Sequence, residues 1–352
     1  MLSGAGAVAT GLLALTAAAK NEEWTDTSGN RFRGEAAEVL GPLALFRTSI
    51  RSGRRVPLHL LSAEDCVRFY HRLHDRPARA ADWARAGGLL SRELFGSVLR
   101  VENGKLSPAE LKGRPEPECF ILFFANPSVS KSWNMVGGTT PQLYAAVRQN
   151  YPGMVEAVFW APRAEPYDQN NMAVTMNMPW LVIDYAARMS LTTLRDLMPE
   201  EEYEMMVVSR DGVPLFTSAA DSEAAIRQTF TELNGLLALM QPANPVSWND
   251  RAWYLRAIQP VVHATDRAEP VLVGDPLKAE ALRQAGVQHF DADIRVAAGG
   301  RVLRVSFVKP EKDLKPEMAQ AIGRALLQAV FVPAVENGKF VDGVYTYHFG
   351  AR

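Results

Sequence analysis

Two apolar runs with a helix between them constrain this chain more than any other feature. Phe120-Ile121-Leu122-Phe123-Phe124 has no polar position, so it cannot be a strand with one wet face. It is predicted to be a strand buried on both faces, as in parallel sheets. A helix-like stretch from Pro141 to Gln149 follows, and then a second strand, Val155 to Trp160. Parallel strands need such a crossover, so this region reads as βαβ. Farther on, Met205-Met206-Val207-Val208 runs into the turn Ser209 to Gly212, and Ser222 caps a predicted helix to Leu239. Residues 115–240 are therefore expected to form an α/β domain.

The 352 residues exceed one ordinary core and imply two or three domains, and 47% hydrophobic with 22% charged residues suits globular folding. Residues 24–75 alternate in short runs broken by Ser28-Gly29-Asn30 and Ser52-Gly53, the pattern of a small antiparallel β unit. Ser62, with Glu64 and Asp65 behind it, is predicted to cap a helix through Val67, Tyr70 and Leu73. Residues 76–114, rich in Gly and Pro, read as a connector. Residues 245–352 give strands around Val302 to Val308, a helix from Pro316 to Gln328 and a strand from Gly343 to Phe349. The order is β-β-α-β.

Residues 1–20 carry no charge before Lys20 and close on Ala17-Ala18-Ala19, the pattern of an export signal. An uncleaved anchor is the other reading. Either one implies a periplasmic or envelope location, with the membrane met only at this N-terminal segment.

Lys plus Arg number 38 against 39 Asp plus Glu, so no basic field gathers nucleic acid. Neither phosphate-loop, dinucleotide-binding nor HExxH motifs occur, and no cofactor is expected. Cys66 and Cys119 are read as buried thiols. Cys66, His71 and His74 with Asp65 and Asp75 do not share one helix face, so no metal is assigned to them. His263, His289 and His348 lack ligand spacing, and Met172, Met176, Met178, Met189, Met205 and Met206 are read as core filling. The arginines 31, 33, 47, 51, 54 and 55 are read as a solvated face.

Three resemblances overlay this reading. Trp24, Asp26, Gly29, Gly53, Val56 to Leu58, and Leu61, Ser62 and Asp65 fall in the pattern of the small SH3-like module of yeast actin-patch adaptors. That resemblance implies binding or packing without catalytic residues. The central region resembles thioredoxin-fold proteins of the nucleoredoxin and tryparedoxin branch, on Phe120 to Pro127, Val155 to Arg163, Met176 to Tyr185 and Met205 to Gly212. In active relatives the first strand leads into Trp-Cys-x-x-Cys at a helix start, where a depressed thiol pKa makes the nucleophile. Here Ser128 and Lys131 stand at the expected thiol positions, and Tyr203 stands where a proline is expected. The resemblance thus implies a redox-inactive relative, because a hydroxyl cannot exchange disulfides. A Ser128 nucleophile with Lys131 as base is the catalytic alternative for the same residues. A further alternative is an oxidoreductase or thiol chaperone working through Cys66 or Cys119.

The C-terminal region is similar to the C-terminal domain of TonB-type energy transducers, on Gly300, Val302, Phe331, Pro333, Ala334, Gly338, Val341 and Phe349. That family grips extended partner segments by strand addition. The resemblance makes Val344, Tyr345, Thr346, Tyr347, His348 and Phe349 the partner-binding candidates. Together these readings predict an α+β and α/β multi-domain protein that is exported, redox-inactive, and binds envelope proteins or peptides.

Overall fold

The computed structural model describes residues 22–40, 43–73, 79–240, 267–308 and 314–350. Residues 1–20, read as an export signal or an anchor, lie outside the described residues, as do His74, Asp75, His263 and the side chain of His71.

Strands β1 (Glu22–Thr25), β2 (Arg31–Leu40), β3 (Leu43–Ser49) and β4 (Ser52–Pro57) form an antiparallel meander in chain order, followed by helix α1 (Ala63–Leu73). Ser62 Oγ accepts from Asp65 N at 3.2 Å, the cap expected from sequence. One face of the sheet is an aromatic cluster in which Phe46 lies 4.9 Å from Trp24, 4.9 Å from Phe32 and 5.1 Å from Phe69. Trp24 is fully buried and donates Nε1 to Gly34 O at 2.8 Å. The arginines are more engaged than a solvated face implies. Arg54 lies 4.2 Å over Phe32, Arg55 lies 5.1 Å over Phe216, and Arg51 reaches both carboxylate oxygens of Glu204 at 2.6 and 2.7 Å.

The segment expected as a connector is integral to the central sheet. It supplies α2 (Leu89–Leu94), β5 (Val98–Glu102) and β6 (Lys105–Pro108). The hairpin turns at Asn103 and Gly104, both at positive φ (53° and 73°), the backbone of a two-residue hairpin turn. Next come β7 (Cys119–Phe124), α3 (Ser130–Val136), α4 (Thr140–Asn150), β8 (Val155–Trp160), α5 (Pro166–Thr175) and β9 (Leu181–Ile183). They are followed by α6 (Thr192–Asp196), β10 (Glu204–Ser209), β11 (Pro214–Ser218) and α7 (Glu223–Met240).

The seven strands run β11-β10-β7-β8-β9-β5-β6, with β7, β8 and β9 parallel and β10 antiparallel to β7. Every residue of β7 and β8 is buried. A parallel pair extended by an antiparallel hairpin and closed by a helix is a thioredoxin-like arrangement. Cys119 is the first residue of β7.

Each face of β7 has its own core. Phe120, Leu122 and Phe124 pack with Trp83, Leu90, Leu94 and Leu194. On the other side Ile121 and Phe123 share a cluster with Tyr144, Phe230, Leu233 and Leu237, and with Leu40, Leu43 and Leu45 of the first sheet. The first sheet is thus docked on the thioredoxin-like region by a common core.

Beyond the central region lie β12 (Arg267–Ala268), β13 (Val271–Gly274), α8 (Ala279–Gln284), β14 (Phe290–Val296), β15 (Val302–Phe307) and α9 (Pro316–Leu326). Strands β16 (Val330–Val332), β17 (Ala334–Glu336), β18 (Lys339–Val341) and β19 (Gly343–Phe349) complete the chain. They form sheets β15-β14-β19, β13-β16 and β12-β17-β18. The expected β-β-α-β order is therefore present, with an additional hairpin turning at Asn337 and Gly338. Among the described residues no helix is long and apolar enough to cross a membrane.

The docking of the first sheet leaves no space at Gly53, where an added Cβ would sit 2.0 Å from Pro214 O. Gly53→Ala is expected to lower stability by about 1–3 kcal/mol through overpacking. Gly235, inside α7 with open space around it, gives the opposite expectation. Gly235→Ala should raise stability by up to about 1 kcal/mol. Denaturant midpoints of the two variants check both signs.

Candidate functional site

The end of β7 and the start of α3 form the first candidate. Ala125 N donates to Trp160 O at 3.0 Å, tying the exit of β7 to β8. Asn126 then turns the chain: its N–H donates to Ser132 Oγ at 3.0 Å, and its Oδ1 accepts from Ser128 N at 3.0 Å. Trp133 Nε1 donates to Pro127 O at 2.8 Å and closes the loop. Helix α3 begins at Ser130 with Val129 as its N-cap residue, so Ser128 precedes the helix and is exposed.

Lys131 and Tyr203 are brought together. The Lys131 ammonium lies 5.9 Å from the Tyr203 ring centre, and Tyr203 directly precedes β10, whose Glu204 pairs with Phe124. Among the described residues no hydrogen bond joins the Ser128 hydroxyl to Lys131. The arrangement offers an ammonium over a ring face, a contact that holds two chain segments together.

Two residues of this site were not singled out from sequence. Ser132 is fully buried and its hydroxyl holds the Asn126 turn. Arg163 donates to the carbonyls of Pro199, Glu200 and Glu201 at 3.0, 2.8 and 3.1 Å, fixing the loop before β10. A loop arginine bonding backbone oxygens so far along the chain leaves no periodic signal. The position of Ser132 on α3 follows from where the helix starts, which strand patterning does not fix.

Neither thiol lies at this site. Cys119 is at the opposite end of β7, and burial pushes its thiol well above the ordinary value, with Glu118 adding to the effect. Cys66 is buried on α1 with Sγ 3.2 Å from Leu58 O, and burial, then the charge of Asp65, raises it as well. Among the described residues no cluster of three metal-ligating side chains occurs. Met172, Met178, Met205 and Met206 are buried in the core, while Met189 is exposed.

The second candidate is β19. Val308 N donates to Asp291 O, so Asp291 directs its backbone toward β15. Backbone direction alternates along a strand, so Phe290, Ala292, Ile294 and Val296 face β19. Their partners in the ladder are Phe349, Tyr347, Tyr345 and Gly343. The backbone groups of Val344, Thr346 and His348 therefore point away from the sheet. Among the described residues no strand pairs with that edge.

The side chains divide in the same way. Val344 is 53% exposed, Thr346 Oγ1 donates to Asp293 at 2.9 Å, and His348 Nδ1 lies 2.6 Å from Asp291. Tyr345, Tyr347 and Phe349 face inward. Phe290 stacks on Tyr347 and Phe349 at 5.7 and 5.4 Å, and Tyr345 meets Phe331 edge-on at 5.2 Å. Tyr347 donates its hydroxyl to Asp275 at 2.8 Å, and burial together with that bond raises its pKa.

No family model matches the sequence, and no curated protein matches it. Three solved structures align over part of the chain. A thioredoxin from Wuchereria bancrofti is 17% identical, with 40% of this chain and 96% of that one covered, at a TM-score of 0.29. A conserved protein of unknown function from Bacteroides fragilis is also 17% identical, covering 39% and 93%, at 0.27. The bacterioferritin comigratory protein of Xanthomonas campestris is 11% identical, covering 43% and 98%, at 0.29. The likeness is partial, and the thioredoxin-like character of the region rests on its strand order.

The burial of both thiols gives a direct expectation. Neither Cys66 nor Cys119 should react with a thiol reagent in the folded chain, and both should react once it is unfolded, as mass spectrometry would count.

Proposed function

We propose that this chain is an exported, redox-inactive thioredoxin-fold protein that binds a partner protein of the cell envelope by accepting an extended segment on β19. The observation that carries the reading is the pair of outward backbone positions at Val344 and Thr346. A strand edge of this kind supplies main-chain hydrogen bonds to an incoming peptide, and the alternating side chains set its selectivity. The TonB-like sequence pattern of residues 245–352 supports the same use of the last strand. The SH3-like first module then acts as a packing unit, and residues 1–20 direct export to the periplasm.

Redox inactivity is supported by the chemistry around α3. Neither the Ser128 hydroxyl nor the Lys131 ammonium forms a disulfide, and the two thiols are buried elsewhere. Disulfide reduction of insulin by the purified chain would sink this half of the reading.

The binding half is tested on β19. Proline is tolerated on an edge strand where its missing N–H faces outward. Thr346→Pro should keep the fold and lower capture of envelope proteins at least tenfold, whereas Tyr345→Pro should unfold the C-terminal sheet by removing a bond to β14. Lys131→Ala should capture as well as the parent chain. Equal capture by Thr346→Pro would assign binding to another surface.

A further inference from the structure

The first sheet meets the thioredoxin-like region across a buried cluster of charge that the proposed function does not use. Glu38 lies on β2 at an irregularity in its pairing with β3, and its carboxylate is 3% exposed. One of its oxygens accepts from Arg210 Nε at 3.0 Å, the Ser209 hydroxyl also faces the carboxylate, and Oε2 is buried without a well-formed hydrogen bond. Arg210 also reaches Glu116 at 3.3 Å. Glu116 is fully buried and already accepts from the backbone N–H groups of Ala80, Gly87 and Gly88 at 2.9, 3.3 and 2.8 Å. Asp211, next in the chain to Arg210, accepts from Leu89 N at 2.9 Å. One guanidinium therefore stands between two buried carboxylates from two segments of chain, and the Asp211 charge acts on the first of them.

A carboxylate oxygen buried without a donor is costly as an anion and far less so when the group carries a proton. We propose that Glu38 is a proton-operated joint, protonated when the first sheet docks on the thioredoxin-like region, and that its ionisation loosens that docking. Burial, then the negative charge of Asp211, raises its pKa from 4.5 to about 7, and Ser209 and Arg210 oppose this only in part. Among the described residues the other titratable groups facing it are Glu116 and Glu118, which act through Arg210, and the Cys119 thiol at the head of β7. Across the ladder β3 sets only Leu45 opposite Glu38. On α1, Asp65, Arg68 and Arg72 are bonded at β1.

The sign follows from which state holds the proton. Between pH 4.5 and about 7 the docked form keeps the Glu38 proton while the undocked form releases it, so docking weakens as pH rises through this window. A span of that size corresponds to about 300-fold in the docking equilibrium, at tenfold per unit. Glu116 works in the opposite direction. Although burial raises it, its backbone donors hold it below the ordinary value, so its contribution is lost only in acid below that window.

The test is hydrogen exchange of the full chain from pH 5 to 8.5, corrected for intrinsic rates and read by mass spectrometry. Peptides of β2 to β4 should lose protection about tenfold per unit up to about pH 7 and then level off, while peptides of β14 and β19 stay flat. Glu38→Gln should remove the slope. Asp211→Asn should make the loss finish at lower pH, which keeps the idea testable if Glu38→Gln does not fold. A slope unchanged by both substitutions, or one shared equally by the C-terminal sheet, would overturn the proposal.

Discussion

Strands β7 and β8 have no wet face, and most of the architecture answers to that. A strand apolar on both sides is stable only with a layer of side chains over each. On one side α2 and α6 supply Leu90, Leu94 and Leu194. On the other, α4 and α7 supply Tyr144, Phe230 and Leu233, and the first sheet adds Leu40, Leu43 and Leu45 to the same cluster. The segment between the first sheet and β7 cannot then be a free connector. It carries α2 over one face, and its hairpin extends the sheet beyond β9.

Edges impose the second constraint, since unpaired backbone groups invite pairing with other chains. The outer side of β1 is closed from α1: Thr25 N donates to the Asp65 carboxylate, Ser62 N donates to Thr25 O, and Arg68 donates to Glu23 O. Strand β4 meets β11 so closely at Gly53 and Pro214 that no Cβ fits between them. Against these closed edges, β19 differs in having outward groups on alternate residues and an apolar side chain, Val344, half exposed beside them.

The elements legible in the sequence are those governed by local rules. An unbroken apolar run gave β7 and a run interrupted only by Glu156 gave β8, serine caps placed the starts of α1 and α7, and the Asn337-Gly338 pair marked a turn. The hairpin of β5 and β6 carries the same Asn-Gly signal, but the surrounding glycines and prolines masked it. What stayed hidden was set by tertiary contact. Nothing local to Arg163 points to three carbonyls in the loop before β10, and nothing local to Glu38 announces Arg210, far along the chain. Within the candidate site, the proximity of Lys131 and Tyr203 was implied by resemblance, whereas the holding role of Ser132 needed the start of α3 to be known.

The residues around α3 show how a loop can keep its shape without a dithiol. Ser132 accepts the Asn126 amide, Trp133 reaches back to Pro127, and the Lys131 ammonium lies over Tyr203 across the gap to β10. Arg163 meanwhile occupies carbonyls of the loop that faces them. A peptide seeking these carbonyls would have to displace a guanidinium that already bonds all three. At Val344 and Thr346 the β19 edge asks for no such exchange, because no strand pairs with it there among the described residues. The proposed binding therefore falls on the last strand, whose outer side has no strand to give up, while the thioredoxin-like region carries the first sheet on a shared core.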